Sequence, residues 1–399
     1  MSLFQQRKLL IDALLRHCSN KCMPEKLVKP LNHGVLKTSC RNISSNGQWS
    51  DDEVRKMRLM KRVGAGLLFS ATLGLAIYSK RNKAQRLRDS LEDCERLPPD
   101  PDYTSSMGSE FYRCKSCIFP GDIIKSGTLK KLESLELKHN DIIVASFPKS
   151  GTTWMQEIVY LIQTGLDFEG AQKQVLETRF PYLEHPYPGL ASIKKTEGPR
   201  FIKTHLPISL LPKSVMENGT KVIYIVRNPK DVAVSYYYFL RMATFVGYRG
   251  GMKDFVNKFI KGDVPYGPYF EHVLGYWKQH QSESNNNLLW ITYEDMHRDP
   301  EGSIRRVAQF LDRPLTDAQV RLIAAHTRFE SMAGNPSVNY SHWDDLGLRN
   351  KNEAPFMRSG RVGDWRRSFD ADTNRRFDDF IRQHIESSEL KFDYLPADE

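Results

Sequence analysis

The stretch that decides the fold reads SFPKSGTTWMQE and occupies residues 146–157. The apolar run DIIVASF at 141–147 predicts a buried strand at its start, and residues 152–163 predict a helix after it. The first amides of such a helix have no partner within the helix, and the helix dipole adds a field that attracts anions. The stretch therefore predicts an anion site between a strand and a helix.

The order of residues in this loop differs from that of the Walker A loop, G-x-x-x-x-G-K-[ST]. Lys149 precedes Gly151 instead of following it, and Thr152 and Thr153 come after the glycine. Gly151 permits a tight turn, Lys149 supplies a mobile cation, and the two hydroxyls can donate hydrogen bonds. The loop is predicted to hold an anion, while its order argues against a nucleotide kinase.

Strands and helices alternate from about residue 115 onward. Further β-rich runs and helical patterns follow, with strands at 199–205, 221–228 and 288–294 and helices at 229–243, 300–311 and 316–326. This alternation predicts a single α/β domain over 115–399, with a central, mainly parallel sheet flanked by helices. Ligands of such sheets bind at the carboxyl ends of the strands. Residues 334–357 predict a long loop of the kind that often covers a site.

The formal net charge of +10 has three ordinary explanations: a nucleic acid, an acidic membrane surface or a multiply anionic small ligand. The excess of positive charge lies partly near the N-terminus, so we expect no nucleic-acid partner. Residues 1–62 are basic and are compatible with a mitochondrial presequence, a membrane-surface helix or a plain tail.

Residues 63–79 contain no charge and lie between basic clusters. As a helix they would span about 26 Å, at the short limit for crossing a bilayer, and we expect a membrane anchor here. The basic residues on the two sides balance, so the positive-inside rule gives no orientation. Residues 80–114 are expected to form a juxtamembrane linker. We expect the domain to face the cytoplasm, with the mitochondrion or the Golgi lumen as alternatives.

All six cysteines lie within the first 117 residues. Cys114 and Cys117 form half of a zinc or redox signature without a second pair near them, so we expect unligated thiols. We find no His or Cys cluster and no DxD-type motif that would indicate a metal, and therefore expect none.

Two further groups of residues are suited to bind an anion at the carboxyl ends of the predicted strands. Arg227 ends a predicted strand, and Ser235 follows eight residues later within a helix. Arg358 offers a guanidinium and Gly360 an unhindered backbone amide. Together with the loop at 149–153 they indicate a ligand with two separated anionic groups.

Four ordered motifs, PKSGTTW, KTHLP (203–207), RNPKDVAVSYYYF (227–239) and RSGxxGDW (358–365), resemble the cytosolic-type sulfotransferase family. The resemblance runs over about residues 115–399 and implies a P-loop-like sulfotransferase fold. It also implies a dependence on PAPS, 3′-phosphoadenosine 5′-phosphosulfate. By resemblance, the residues that bind this cosubstrate are Lys149, Ser150, Gly151, Thr152, Thr153, Trp154, Arg227, Ser235, Tyr293, Thr327, Phe329, Phe356, Met357, Arg358, Ser359 and Gly360.

The catalytic candidates are His205, Lys203, Lys149 and Ser235. A His with an ordinary pKa near neutrality suits a general base, and Lys203, two residues earlier, leaves the same face of an extended segment. The resemblance gives Lys203 a role in holding the sulfuryl group and Lys149 a role on the bridging oxygen. It also implies that Ser235 restrains Lys149 until the acceptor arrives.

The acceptor is expected to be a small, largely apolar molecule with a hydroxyl or an amine. Tyr182, His185 and Phe239 match family positions that line an apolar acceptor cavity, although His185 is more polar than the usual aromatic.

The chain departs from the family pattern at two further places. Ser359 replaces a Lys of the 3′-phosphate region, which should weaken nucleotide binding. The family's dimer motif should fall at 366–375, where the sequence is RRSFDADTNR, so dimerisation by that route is doubtful.

Two alternatives to a sulfotransferase remain at this point. A P-loop nucleotide kinase would need the Walker order, which is absent. A non-catalytic nucleotide-binding scaffold of the same fold would be expected to lack the base or the lysines, yet Lys149, Lys203 and His205 are all present.

Overall fold

The computed structural model describes residues 94–106, 108, 110–282 and 286–394. The basic region 1–62, the predicted membrane anchor at 63–79 and the first part of the predicted linker therefore lie outside the described residues. Within the described ranges, no helix has the length and the apolar character needed to cross a bilayer.

The central sheet has four parallel strands, which confirms the predicted sheet. Its order is β5-β4-β6-β7, and the strands are β4 (Ile142–Ser146), β5 (Phe201–Thr204), β6 (Lys221–Val226) and β7 (Leu288–Thr292). The register places Val144 opposite Lys203 and Ala145 opposite Thr204. The ends of β4 and β5 therefore lie side by side.

Side chains of the central strands alternate between two apolar clusters, as the period of two in a strand requires. Ile142 and Val144 face one cluster, whereas Ile143 and Ala145 face the other. Both faces are covered by helices, so β4 is buried throughout and is apolar up to Ser146 at its end.

Fifteen helices lie within the described residues, and four of them were predicted from the sequence, to within a residue or so. They are α1 (Gly121–Lys125), α2 (Thr128–Leu132), α3 (Thr152–Gln163), α4 (Phe168–Lys173), α5 (Leu176–Arg179), α6 (Gly189–Lys195), α7 (Ser214–Glu217), α8 (Pro229–Met242), α9 (Met252–Lys261), α10 (Tyr269–His280), α11 (Tyr293–Arg298), α12 (Pro300–Phe310), α13 (Asp317–His326), α14 (Phe329–Gly334) and α15 (Ala371–Ile385). The loop predicted at 334–357 contains one short 3₁₀ turn, Ser341–Trp343.

The N-terminal part of the described chain forms a second sheet, which is antiparallel. Its strands, in the order β1-β2-β3, are β1 (Cys94–Arg96), β2 (Phe111–Cys114) and β3 (Cys117–Pro120). Phe111 and Tyr112 join the same apolar cluster as Ala145. The folded part thus begins before residue 115, within the segment 80–114 that the sequence predicts as a linker.

The cysteines of this sheet correct the expectation of unligated thiols. Cys94 lies opposite Cys114 in the strand register, and the two form a disulfide. Neighbouring antiparallel strands bring opposed Cβ atoms close enough for such a bond. Cys117 remains a free thiol and is buried.

Candidate active site

The predicted anion loop lies between β4 and α3. Lys149 and Gly151 both have positive φ angles, 70° and 105°, which turn the backbone sharply into the first turn of α3. A Cβ at position 151 would lie 2.8 Å from Cδ2 of Tyr293, so only glycine fits. The hydroxyls of Ser146 and Thr152 share a hydrogen bond of 2.6 Å that ties the strand to the helix.

The side chain of Lys149 lies in an aromatic and cationic environment. Its Nζ is 3.7 Å from the ring centroid of Phe356 and 4.9 Å from that of Phe239. Burial lowers the pKa of Lys149 well below its ordinary value, and the charges of Lys203, Arg227 and Arg358 lower it further. Converging cations that repel one another are stabilised by an anion between them.

Arg227 directly follows the end of β6. This is the position predicted for binding the second anionic group of the ligand. Its Nη2 donates to the carbonyl of Arg361 at 2.7 Å, and its guanidinium lies 4.2 Å from the ring centroid of Tyr293. Arg358 forms an ion pair with Asp364. The guanidinium of Arg358 lies 4.5 Å from the ring centroid of Tyr238.

Asp231 brings these two arginines into one region, and sequence reasoning missed it. Its carboxylate accepts hydrogen bonds from the backbone N–H groups of Gly363 at 2.8 Å and Trp365 at 3.0 Å. It also accepts one from Nδ2 of Asn228 at 2.9 Å. The segment after Arg358 is thereby fastened to the first turn of α8. The sequence offered one signal for this contact, namely that the motifs RNPKD (227–231) and GDW (363–365) occur in the same chain.

Gly360 and Phe329 approach each other closely. Gly360 has a φ of 67°, and a Cβ there would overlap the ring of Phe329. On the other side of the site, Trp154 packs edge-on against Tyr293, with ring centroids 5.7 Å apart. Thr327 is buried, and its hydroxyl donates to the carbonyl of Ile323 at 2.9 Å.

The remaining predicted nucleotide residues lie in the same two segments. Met357 and Ser359 are half-buried beside Arg358, and Ser235 is half-buried on α8. The hydroxyl of Ser235 makes no hydrogen bond to another described residue, so the predicted restraint on Lys149 is not formed here. Lys149 contacts the rings of Phe356 and Phe239 instead.

His205 follows β5 directly and is buried. Its Nδ1 lies 2.7 Å from the carbonyl oxygen of Ser146, which can only accept, so Nδ1 carries the proton and Nε2 has the free lone pair. Burial lowers the pKa of His205 well below 6.5, and the charge of Lys203 adds to this effect. The imidazole is therefore neutral at physiological pH and able to accept a proton.

The ammonium of Lys203, two residues before His205 in the chain, packs on the aromatic ring of Tyr182. Its Nζ lies 4.4 Å from that ring centroid. Burial lowers the pKa of Lys203 to about 8, while the carboxylates of Glu177 and Glu184 act in the opposite direction.

Two aromatic rings lie beside the imidazole of His205. The ring centroids of Tyr182 and Tyr266 lie 5.3 Å and 5.6 Å from that of His205. The ring centroid of His185 lies 4.1 Å from that of Tyr182. Burial lowers the pKa of His185 to about 4, so its imidazole is neutral. Sequence reasoning missed Tyr266, which has no motif to mark it.

Comparison with known proteins decides the family. A model of the sulfotransferase domain matches residues 139–389.

The chain belongs to the sulfotransferase family.

Relatives and solved structures agree with this assignment. Sulfotransferase 1E1 of Bos taurus is 39% identical over 265 residues, which are 65% of this chain and 88% of the relative. Sulfotransferase 1C2 of Homo sapiens is 36% identical over 296 residues, which are 72% of this chain and 98% of the relative. Retinol dehydratase in complex with retinol and PAP is 27% identical, with a TM-score of 0.67 over 75% of this chain and 99% of that one. Mouse sulfotransferase SULT7A1 with PAP is 28% identical, with a TM-score of 0.56 over 70% of this chain and 95% of that one.

This sulfotransferase is an enzyme that uses PAPS as the donor of the transferred group. Its residues fit that cosubstrate. Buried polar atoms without a partner among the described residues include Oγ of Ser150, Nε1 of Trp154 and Nε of Arg227. Leaving such groups unpaired is costly, and a polyanionic nucleotide would satisfy those that face it. The described residues contain no group of three or more His, Cys, Asp or Glu side chains that could hold a metal.

Proposed function

We propose that this sulfotransferase moves the sulfuryl group of PAPS to a hydroxyl or amine of a small, largely apolar acceptor, with His205 as the general base. The observation that carries the proposal is the hydrogen bond from Nδ1 of His205 to the carbonyl of Ser146. It leaves Nε2 unprotonated among aromatic rings, where an acceptor hydroxyl could donate to it.

PAPS, when bound, supplies the sulfuryl group for transfer. Nε2 of His205 takes the proton of the acceptor, and Lys203 supports the negative charge near the nucleophile. Lys149 would stabilise the oxygen that bridges to the departing nucleotide, if its ammonium leaves the rings of Phe356 and Phe239. In this proposal Ser235 restrains Lys149 only after the nucleotide has bound, and it does so until the acceptor arrives. Positioned cations and amides account for most of the rate gain in reactions of this type.

The nucleotide is proposed to lie between the two anion-binding regions of the site. The amides of Gly151, Thr152 and Thr153 at the start of α3 would hold the 5′ side, with the hydroxyl of Ser150 beside them. Arg227, Arg358 and the backbone at Gly360 would hold the 3′-phosphate. Trp154 and Phe329 would enclose the adenine, with Tyr293, Thr327, Phe356, Met357 and Ser359 as neighbours.

The acceptor cavity is proposed to be lined by Tyr182, His185, Phe239 and Tyr266. Rings of this kind bind flat apolar molecules and leave few polar contacts to fix their orientation. Two of the similar structures are complexes of retinol dehydratase, one with retinol and one with androsterone. Both molecules are apolar and carry an oxygen function, which supports a similar acceptor class for this chain.

Incubation of the full-length chain with labelled PAPS and a panel of phenols and apolar alcohols tests the proposal. We expect transfer to at least one acceptor, and we expect His205→Ala to abolish transfer while leaving PAP binding intact. A His205→Ala variant with full activity would refute the role of the base. Tight PAP binding without transfer to any acceptor would favour the non-catalytic scaffold.

We further infer that residues 63–79 anchor the chain in a membrane. Support comes from the absence of charge over these 17 residues and from the basic residues on both sides. Extraction of membranes with alkaline carbonate, compared between the full chain and a chain lacking 63–79, tests the anchor. Release of both proteins alike would contradict it.

Orientation is a separate question from anchoring, and we propose that the domain faces the cytoplasm. The absence of cysteines after residue 117 supports this orientation, whereas the Cys94–Cys114 disulfide favours an oxidising compartment. Protease treatment of intact vesicles decides, since digestion means a cytoplasmic domain and protection means a lumenal one. A fluorescent fusion of residues 1–100 would show whether the membrane is mitochondrial, endoplasmic or Golgi.

A further inference from the structure

Glu184 is a fully buried carboxylate to which the mechanism above gives no role. Its Oε1 accepts a hydrogen bond from the backbone N–H of His205 at 2.7 Å, and its Oε2 accepts one from the hydroxyl of Thr204 at 2.8 Å. None of its surface is exposed to solvent. Burying a carboxylate is costly unless strong partners compensate. A functional role would explain why Glu184 is buried beside the end of β5.

The opposite side of the same peptide is also held. Nε2 of His272 donates to the carbonyl of His205 at 3.0 Å, and the hydroxyl of Tyr224 donates to Nδ1 of His272 at 2.9 Å. The N–H, the carbonyl and Nδ1 of His205 are thus all engaged, by Glu184, His272 and Ser146. Nε2 is the polar atom of His205 that has no hydrogen bond to a described residue. The arrangement fixes the direction of that lone pair.

The charge of Glu184 also acts on Lys203. Glu177 and Glu184 are the carboxylates that raise the pKa of Lys203, against the larger effect of burial. Burial raises the pKa of Glu184 itself to about 7, while the N–H of His205, the hydroxyl of Thr204 and the charge of Lys203 favour its ionised form. The other titratable groups that Glu184 influences are Tyr182, Tyr266, Tyr276 and Cys117.

We propose that Glu184 is a positioning residue for sulfuryl transfer, which fixes His205 through its backbone and places a negative charge beside Lys203. The proposal rests on the proposed role of His205 as the base. A shift of the peptide at 205 would turn Nε2 away from the acceptor, and misplacements of about 1 Å can cost about 100-fold in rate.

Glu184→Gln tests this proposal because the amide has the same size but no charge, and it can accept only at one of its two ends. We expect kcat to fall about 10- to 100-fold. The affinity for PAP and the KM for the acceptor should change little, because neither site contains Glu184. Loss of the negative charge lowers the pKa of Lys203, so the alkaline limb of kcat should move to lower pH.

Two matched variants separate position from charge. Glu177→Gln removes the other carboxylate that acts on Lys203, but Glu177 accepts from Nε1 of Trp343 at 3.1 Å, lies 3.3 Å from Nε2 of His342 and makes no hydrogen bond to β5. It should move the alkaline limb with little change in the plateau value of kcat. Thr204→Val keeps the charge of Glu184 but removes the hydroxyl that donates to Glu184 and accepts from the N–H of Leu206, so it should lower kcat without moving that limb.

The proposal is overturned if Glu184→Gln keeps the wild-type kcat, or if it loses PAP binding along with kcat. Should Glu184→Gln fail to fold, Thr204→Val decides: a reduced kcat with normal PAP binding supports the proposal, and an unchanged kcat overturns it. The outcome remains distinct from that of the proposed function. An active His205→Ala variant would refute the base itself, whatever Glu184→Gln does.

Discussion

Gly360 shows how a single residue can shape the nucleotide site. Its positive φ of 67° suits glycine, and the space that a Cβ would occupy is taken by the ring of Phe329. Phe329 therefore lies directly on the backbone beside Arg358. The proposed adenine contact of Phe329 and the proposed 3′-phosphate contact of the backbone at 360 therefore both depend on the absence of a Cβ at this position.

Gly360→Ala should weaken PAP binding by more than about tenfold, because Phe329 must move and the backbone at 360 becomes strained. Isothermal titration calorimetry with PAP measures this. Gly334→Ala is the matched control, since nothing lies within 4 Å of a Cβ there and its φ is not positive. Equal affinities for the two variants would contradict this account of Gly360.

The pH dependence of kcat/KM should reflect the environments of His205 and Lys203. Burial lowers the pKa of His205, so its neutral form persists below pH 6.5 and protonation of this base should reduce activity only at more acidic pH. Lys203 has a pKa of about 8, so its charged form is lost as the pH rises through that value. We expect a bell-shaped profile with an alkaline limb near pH 8. Glu184 has a pKa of about 7 and adds its own acid-side decline in the wild type, so the test of His205 uses Glu184→Gln: a decline that already begins above pH 6.5 in that variant would contradict the role of His205.

At the scale of elements, the site is built where strands end and helices begin. β4 leads into the loop before α3, β6 leads through Arg227 into α8, and β5 ends at Thr204, directly before His205. α8 starts with Asn228 as N-cap, whose side chain accepts from the N–H of Asp231. The cap places Asp231 where its carboxylate accepts hydrogen bonds from the backbone of segment 363–365.

Asp231→Asn should release this segment from α8, because an amide cannot accept from all the donors that the carboxylate serves. Each buried donor left unpaired costs about 1–3 kcal/mol. We expect a lower free energy of unfolding, faster hydrogen exchange at 363–365 and weaker PAP binding. Glu301→Gln, in an exposed pair with Arg305, is the control and should change stability by less than about 1 kcal/mol. An unchanged exchange rate at 363–365 would argue against this fastening.

At the scale of the described molecule, the antiparallel sheet β1–β3 and the parallel sheet share one apolar cluster. Tyr266 connects this part to the site, because its N–H donates to the carbonyl of Ile118 at 2.7 Å while its ring lies beside His205. The N-terminal strands thus support one wall of the proposed acceptor cavity. The disulfide between Cys94 and Cys114 closes this sheet at its first strand.

Cys94→Ser should lower the free energy of unfolding by about 2–4 kcal/mol, since the disulfide restricts the unfolded chain. Thermal melting under oxidising and reducing conditions measures the effect. Reduction should destabilise the wild type by a similar amount and leave Cys94→Ser unchanged. Cys117→Ser is the control that keeps the disulfide and its response to reduction. A wild type that is insensitive to reduction would contradict the stabilising role of this bond.

Local signals made the central sheet and the anion loop predictable. The strand β4 follows from its apolar run and the helix α3 from apolar periodicity, while side-chain N-caps also mark the starts of α8, α12 and α13. The helices α9, α10 and α15 were missed. The apolar residues of α9 and α15 nevertheless recur at helical spacing, as at Met252, Phe255, Val256 and Phe259 in α9, so a local signal was present and was overlooked.

The sequence by itself determined the parallel α/β fold, the anion loop around Lys149 and the pairing of Lys203 with His205 on one strand. These features depend on residues that are neighbours in the chain, so their signal is local. Only the tertiary structure decided how Asp231 reaches Trp365, 134 positions away, how Glu184 holds His205, 21 positions away, and which cysteine pairs with Cys114. Such contacts form between elements that the fold brings together, and no periodicity or spacing along the chain records them.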